Sequence, residues 1–292
     1  MGGRSKIEWT DATWNPVTGC TKVSPGCAHC YAEPIVKRLR AGKARSSEAL
    51  CQPIDFEHVV CHPDRLAYPL RWRTPRRIFV NSLSDLFHET LPDQFIDQVF
   101  ATMVLARHHQ FHVLTKRASR LRRYVVEQPS GGRQQSVVRA VLDFLPESAR
   151  ASWLANYDGA WPPPNVWLGV SVENQRFADE RIPCVLQTPA PVRFISAEPL
   201  LGPIDLRRYL WPFPALDWVI VGGESGRQAR PCEVAWIRSI LLQCRTYQVP
   251  CFVKQLGARI VGYERHLSDP KGGDPQEWPD DLRVQAYPKL TY

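Results

Sequence analysis

Short apolar runs recur along the chain, and each ends in polar residues. Arg77-Ile-Phe-Val leads into Asn81-Ser-Leu-Ser-Asp85, and Phe111-His-Val-Leu leads into Thr115-Lys116. Val166-Trp-Leu-Gly-Val leads into Ser171, Glu173 and Asn174, and Val192-Arg-Phe-Ile leads into Ser196 and Glu198. Trp218-Val-Ile-Val leads into Gly222-Gly223-Glu224-Ser225, and Cys251-Phe-Val leads into Lys254-Gln255. Runs this short and this rich in Val, Ile and Phe predict strands of a parallel sheet, buried on both faces. Between them lie helical patterns. Phe95/Ile96, Val99/Phe100 and Met103/Val104 recur every four residues after Pro92-Asp93, and Val234, Ile237, Ile240, Leu241 and Cys244 repeat the stripe before the last run. A weaker helix over 174–187 is expected to stop or kink at Pro183.

Alternating strand and helix predicts right-handed βαβ units. With the extended segment 7–18 included there are seven strands. The expected fold is α/β, a partial or complete (β/α) barrel over residues 1–257, with a helical insertion at about 127–165 and a polar tail, 258–292, packed on it. Residues 42–76, carrying Pro53, Pro63, Pro69 and Pro75, are expected to be irregular. Barrel active sites form at the C-terminal ends of the strands, so the polar residues closing each run are candidate ligands as a set.

Composition narrows the class. A hydrophobic content of 44% with ten tryptophans in 292 residues implies a substantial core. No run of about eighteen apolar residues is present, so no membrane span is expected, and the N-terminal Met-Gly-Gly-Arg-Ser-Lys-Ile-Glu lacks the apolar stretch of a secretory signal. Nine cysteines, an odd number, then point to a reducing cytoplasm. Net charge is 37 − 29 = +8. Arginines cluster at Arg71, Arg73, Arg76 and Arg77 and at Lys116, Arg117, Arg120, Arg122 and Arg123, which suits a polyanionic partner. Lys116, Arg117, Arg120 and Arg123 follow the third strand and are the candidate nucleic-acid contacts; the first cluster, before the second strand, is expected to matter less.

Candidate metal chemistry is concentrated in one loop. Cys20, Cys27 and Cys30 fall within eleven residues of Gly19-Cys-Thr-Lys-Val-Ser-Pro-Gly-Cys-Ala-His-Cys-Tyr31. Clustered thiolates bind zinc or an iron–sulfur cluster, and three of them leave one iron of a four-iron cluster without a protein ligand. Zinc held by the three cysteines and His29 is the alternative. The other cysteines, Cys51, Cys61, Cys184, Cys232, Cys244 and Cys251, are far apart.

The loop resembles the signature of radical S-adenosylmethionine (SAM) enzymes. Their usual C-x3-C-x2-C spacing matches in its second interval, while the first is three residues longer here. The chain is also similar to a phage-associated family of unassigned function, through Ile7-Glu-Trp-Thr-Asp-Ala-Thr-Trp-Asn-Pro-Val-Thr-Gly-Cys20, Asn81-Ser-Leu-Ser-Asp-Leu-Phe-His88, Val113-Leu-Thr-Lys-Arg117, Trp167-Leu-Gly-Val-Ser-Val-Glu-Asn174, Ser196-Ala-Glu-Pro-Leu-Leu-Gly202 and Val221-Gly-Gly-Glu-Ser-Gly226. The radical SAM resemblance implies a [4Fe-4S] cluster on Cys20, Cys27 and Cys30 and reductive cleavage of SAM to a deoxyadenosyl radical that takes hydrogen from a substrate. It also implies a flavodoxin- or ferredoxin-like electron donor. His29 and Tyr31 are expected beside the adenine, and Ser82, Ser84 and Asp85 at the methionine amino group. Ser171, Glu173, Asn174 and Glu198 are expected at the ribose or carboxylate, and Gly223 and Glu224 along the adenine edge. The substrate classes left open are a nucleic acid or nucleotide, a peptide, and a small metabolite. A zinc-stabilised nucleic-acid-binding protein is the rival of another class.

Overall fold

The computed structural model describes residues 5, 7–44, 55–126, 132–213 and 215–289, with side chains described through residue 41 of the first helix. Cys51, Pro53 and residues 127–131, the start of the expected insertion, lie outside the described residues. The extended segment and the six apolar runs are the strands of one sheet: β1 (Ala12–Trp14), β2 (Arg77–Val80), β3 (Gln110–Thr115), β4 (Val166–Ser171), β5 (Arg193–Ala197), β6 (Trp218–Gly222) and β7 (Cys251–Gln255). They lie in chain order from β1 to β7. The resolved registers are parallel, pairing Ala12 with Ile78 and Val80 with Val113 in one half, and Ser171 with Ser196 in the other. Every residue of β4 and β6 is buried, as continuous Val/Ile/Trp runs require when both faces are covered. The α/β class and the seven parallel strands therefore follow the sequence pattern.

The crossovers are helical: α1 (Ala32–Ala44), α2 (Asp93–Leu105), α3 (Ala118–Val126), α4 (Gly132–Phe144), α5 (Glu147–Asn156), α6 (Gln175–Leu186), the short α7 (Arg207–Leu210) and α8 (Val234–Thr246). α6 runs through Pro183 instead of stopping there. Proline removes one backbone donor, and buried Ile182 and Val185 keep the last turn packed. The irregular stretch before β2 contains two 3-10 turns, Pro63–Arg65 and Pro69–Arg71, each opened by proline, and a strand Val60–Cys61 antiparallel to Val17–Thr18. Among the described residues no helix is long and apolar enough to cross a membrane.

The chain groups into two compact units. The first comprises 1–21, 35–167 and 188–191; the second comprises 22–34, 168–187 and 192–292, so the tail belongs to the second. In the first, α2 packs against α4 and the turn Pro69–Arg71, and its stripe Phe95, Ile96, Val99, Phe100, Met103 and Val104 is buried. His112 of β3 lies between two indoles, its ring stacked on Trp9 at 5.4 Å and on Trp167 at 4.7 Å. In the second, the outer edge of β7 is covered by the tail: Val253 donates to the Val284 carbonyl (2.8 Å) and Ala286 to that of Cys251 (2.9 Å). Trp278, in the same tail, is 1% exposed.

Candidate functional site

The thiol loop passes from the first unit to the second between Thr21 and Lys22, so its two parts are described in turn. In the first unit, the approach to Cys20 is fixed by the residues that close β2. Asn15 shares hydrogen bonds with Ser82 and accepts the Leu83 N–H (2.9 Å), and Ser84 donates to the Val17 carbonyl (3.0 Å). Asn81, at a positive φ of 61°, makes the sharp exit from β2 that allows this. Gly19 is required: its φ is 95°, and a Cβ there would clash with the His58 carbonyl and lie 2.8 Å from that of Phe56. Ser82 and Ser84, expected at a ligand, hold this segment.

Asp85 is the hub of the next layer. It accepts from Thr115 Oγ1 (2.6 Å), the backbone N–H of Lys116 (3.0 Å) and of Phe87 (2.9 Å), and from Arg117. Arg117 is 4% exposed at its side chain. All five of its N–H bonds are engaged: Nε with Glu89 (2.7 Å), Nη1 with Asp85 (3.2 Å) and Cys20 Sγ (3.5 Å), and Nη2 with the carbonyl (3.2 Å) and Oγ1 (2.9 Å) of Thr21. Burial opposes its charge, but Asp85, Cys20 and Glu89 together hold its pKa above the ordinary range. His88 hydrogen-bonds Thr21 Oγ1 from the other side (2.9 Å). Burial and then the charge of Arg117 push His88 below its usual pKa, which leaves it neutral near pH 7.

Arg120 is likewise engaged, with the Leu91 carbonyl and with Asp93 at 3.1 Å. Of the candidate nucleic-acid contacts Lys116, Arg117, Arg120 and Arg123, only Arg123 is exposed. Arg117, just before α3, and Arg120, within it, are paired with Glu89 and Asp93. From sequence, a run of basic residues reads the same in either case.

In the second unit, Cys27 closes a 3-10 turn, Pro25–Cys27, and Cys30 precedes α1. Two carboxylates at strand ends hold this part. Glu173, fully buried after β4, accepts the Gly26 N–H (3.3 Å) and pairs with Arg181 of α6 (3.1 Å). Glu224, after β6, pairs with His29 (3.2 Å) and accepts the N–H (2.8 Å) and Nε (2.9 Å) of Arg230. Burial would raise the Glu224 carboxyl, but Arg230 and His29 hold it below the usual carboxylate range.

Glu198, after β5, takes Lys254 (2.7 Å) and Gln255 (3.1 Å) from the end of β7. Asn174 caps α6 by accepting the Phe177 N–H, and the Ser171 carbonyl accepts from Arg181 (2.8 Å). Tyr31 is 45% exposed. The absent side chain of Gly223 is explained by the chain itself, since a Cβ would clash with the Leu256 carbonyl and come 2.8 Å from Gly257 Cα. His88 and Glu89 meet partners 67 and 28 positions away, Thr21 and Arg117. Arg181 and Arg230 pair with Glu173 and Glu224 only 8 and 6 positions away but across a strand end and a turn, a geometry that sequence spacing does not specify. The Asn174 cap was readable as Asn at a helix start.

The described cysteines are free of disulfides, and Cys20, Cys27 and Cys30 are each partly accessible. Among the described residues no three His, Cys, Asp or Glu side chains converge to hold a metal ion. A family described as "Protein of unknown function (DUF5131)" matches residues 4–275 of the 292. The chain belongs to the DUF5131 family. The match takes in both units and the whole thiol loop, stopping within the tail. No curated protein and no solved structure matches the chain.

Proposed function

We propose that this DUF5131 chain is a radical SAM enzyme, with Cys20, Cys27 and Cys30 holding a [4Fe-4S] cluster. The observation that carries the reading is the seat of the thiol loop on the C-terminal ends of parallel strands, where (β/α) enzymes do their chemistry. Gly19-Cys20 is tied to the residues closing β2, and the Cys27–Cys30 part to Glu173 after β4 and Glu224 after β6. The donor set suits the group: three soft thiols, free of disulfides and reachable from solvent, with a guanidinium N–H directed at one sulfur.

A bound cluster with one open iron supplies the electron that cleaves SAM to methionine and a deoxyadenosyl radical. The chain's own residues hold and orient. Glu173 and Arg181 fix Gly26, the Glu224–Arg230 pair orients His29, and the polar ends of β5 and β7 offer Glu198, Lys254 and Gln255. Glu173, Asn174, Ser82 and Ser84 serve the scaffold in this scheme. SAM-binding groups are then sought first among Tyr31, Glu198, Lys254 and Gln255. A nucleic-acid substrate is supported by net charge alone, because Arg117 and Arg120 are engaged internally.

Anaerobic purification followed by iron and sulfide analysis tests the reading. A brown protein with four irons per chain, reduced to iron-poor protein by Cys30→Ala, is the expected result. Reduction with dithionite in the presence of SAM should yield deoxyadenosine. A colourless protein carrying zinc, or a brown one that never cleaves SAM, overturns it.

A further inference from the structure

We propose that Arg117 is a positioning residue that sets the reduction potential of the centre on Cys20, by donating an N–H···S hydrogen bond to that ligand. The inference rests on the four-iron reading above. Hydrogen bonds to ligating sulfurs and nearby charge are two of the factors that fix an iron–sulfur potential. Both favour the reduced cluster, which carries one more negative charge and so gains more from a cationic donor.

The geometry is built for that task and not for a surface contact. Nη1 lies 3.5 Å from Cys20 Sγ while the side chain is 4% exposed, so the donor is shielded from water that would compete for it. The planar fork cannot swing away. Nε is held by Glu89, Nη1 also by Asp85, and Nη2 by two oxygens of Thr21, the residue next to the ligand. Thr21 is itself held by His88, and Asp85 by Thr115 and the Lys116 backbone. Three segments of the first unit, Cys20–Thr21, the loop after β2 and the end of β3, thus converge on the orientation of one guanidinium. Lysine could supply the charge but not the five fixed donors. Glu89 opposes the effect: its carboxylate offsets part of the arginine's charge, and its side chain is 62% exposed, so it can be changed with little disturbance of packing.

The experiment is a dithionite titration of the reconstituted full chain, followed by electron paramagnetic resonance, with iron content measured for each variant. Arg117→Gln should shift the midpoint to more negative potential, Arg117→Lys should fall between it and the parent, and Glu89→Gln should shift it to more positive potential. A merely structural role would change iron content or stability and would not produce shifts of opposite sign. If Arg117→Gln does not fold, the Lys and Glu89 variants decide the matter. Midpoints equal to the parent's in iron-replete variants overturn the proposal and leave the four-iron reading intact. A parent chain that takes up no four-iron cluster overturns both.

Discussion

At the residue scale, the imidazole of His112 lies fully buried between Trp9 and Trp167, its Nε2 hydrogen-bonded to Gln110 at 2.9 Å. Burial, followed by the charge of Arg77, pushes its pKa down from 6.5 to about 3. Because the folded value lies below the unfolded one, the associated stability is complete above pH 6.5 and is lost as the pH falls towards 3. The slope approaches about 1.4 kcal/mol per pH unit between those values. Urea unfolding at pH 7, 5.5 and 4.5 should show that loss, and His112→Phe, which has no proton to take up, should flatten it. Parallel acid curves for the two proteins would refute this account. The cysteines and the polar strand ends could be read from sequence because they are dense and local. The role of Arg117 could not, since a guanidinium three positions from Arg120 looks the same whether it faces solvent or Cys20. Ser82, Ser84 and Asn174 sit at strand ends as expected, yet their hydrogen bonds go to backbone and neighbours.

At the element scale, α6 is the support of the second carboxylate clamp. Asn174 caps its first turn and Arg181, two turns on, holds Glu173, which in turn holds the Gly26 N–H of the thiol loop. Asn174→Ala should cost about 1 kcal/mol, the usual loss for a cap, measured as a shift in the urea midpoint. Glu173→Ala leaves the Arg181 guanidinium buried without its carboxylate and should cost more, about 3 to 5 kcal/mol. Its unfolding midpoint should fall well below that of Asn174→Ala; equal midpoints would mean that the pair is not load-sharing. The strands were legible in their Val-rich runs, and α2 and α8 in their stripes. The span of α6 was legible as well, but whether Pro183 would stop it was not, because buried Ile182 and Val185 override a local rule that a sequence window sees alone.

At the scale of the whole molecule, the seven parallel strands and their chain order follow from the alternating pattern. The division into two units does not, because it depends on which segments pack together after the chain returns, as 22–34 does with 168–187. The tail reads from sequence as polar and irregular, yet Leu282 is fully buried and Trp278 nearly so. Removing residues 280–292 should lower the thermal midpoint by several degrees, since about 2 kcal/mol for Leu282 alone corresponds to that shift in a chain of this size. It should also promote association through the uncovered edge, detectable by light scattering. An unchanged midpoint in a monodisperse product would sink this expectation. The order of synthesis gives that covered edge another meaning. β7 ends at Gln255, while its covering segment, Val284 to Ala286, is made some thirty residues later. During translation the last strand of the sheet therefore emerges before its shield, and the interval between the two is when a nascent chain is most open to pairing with its neighbour on the same messenger.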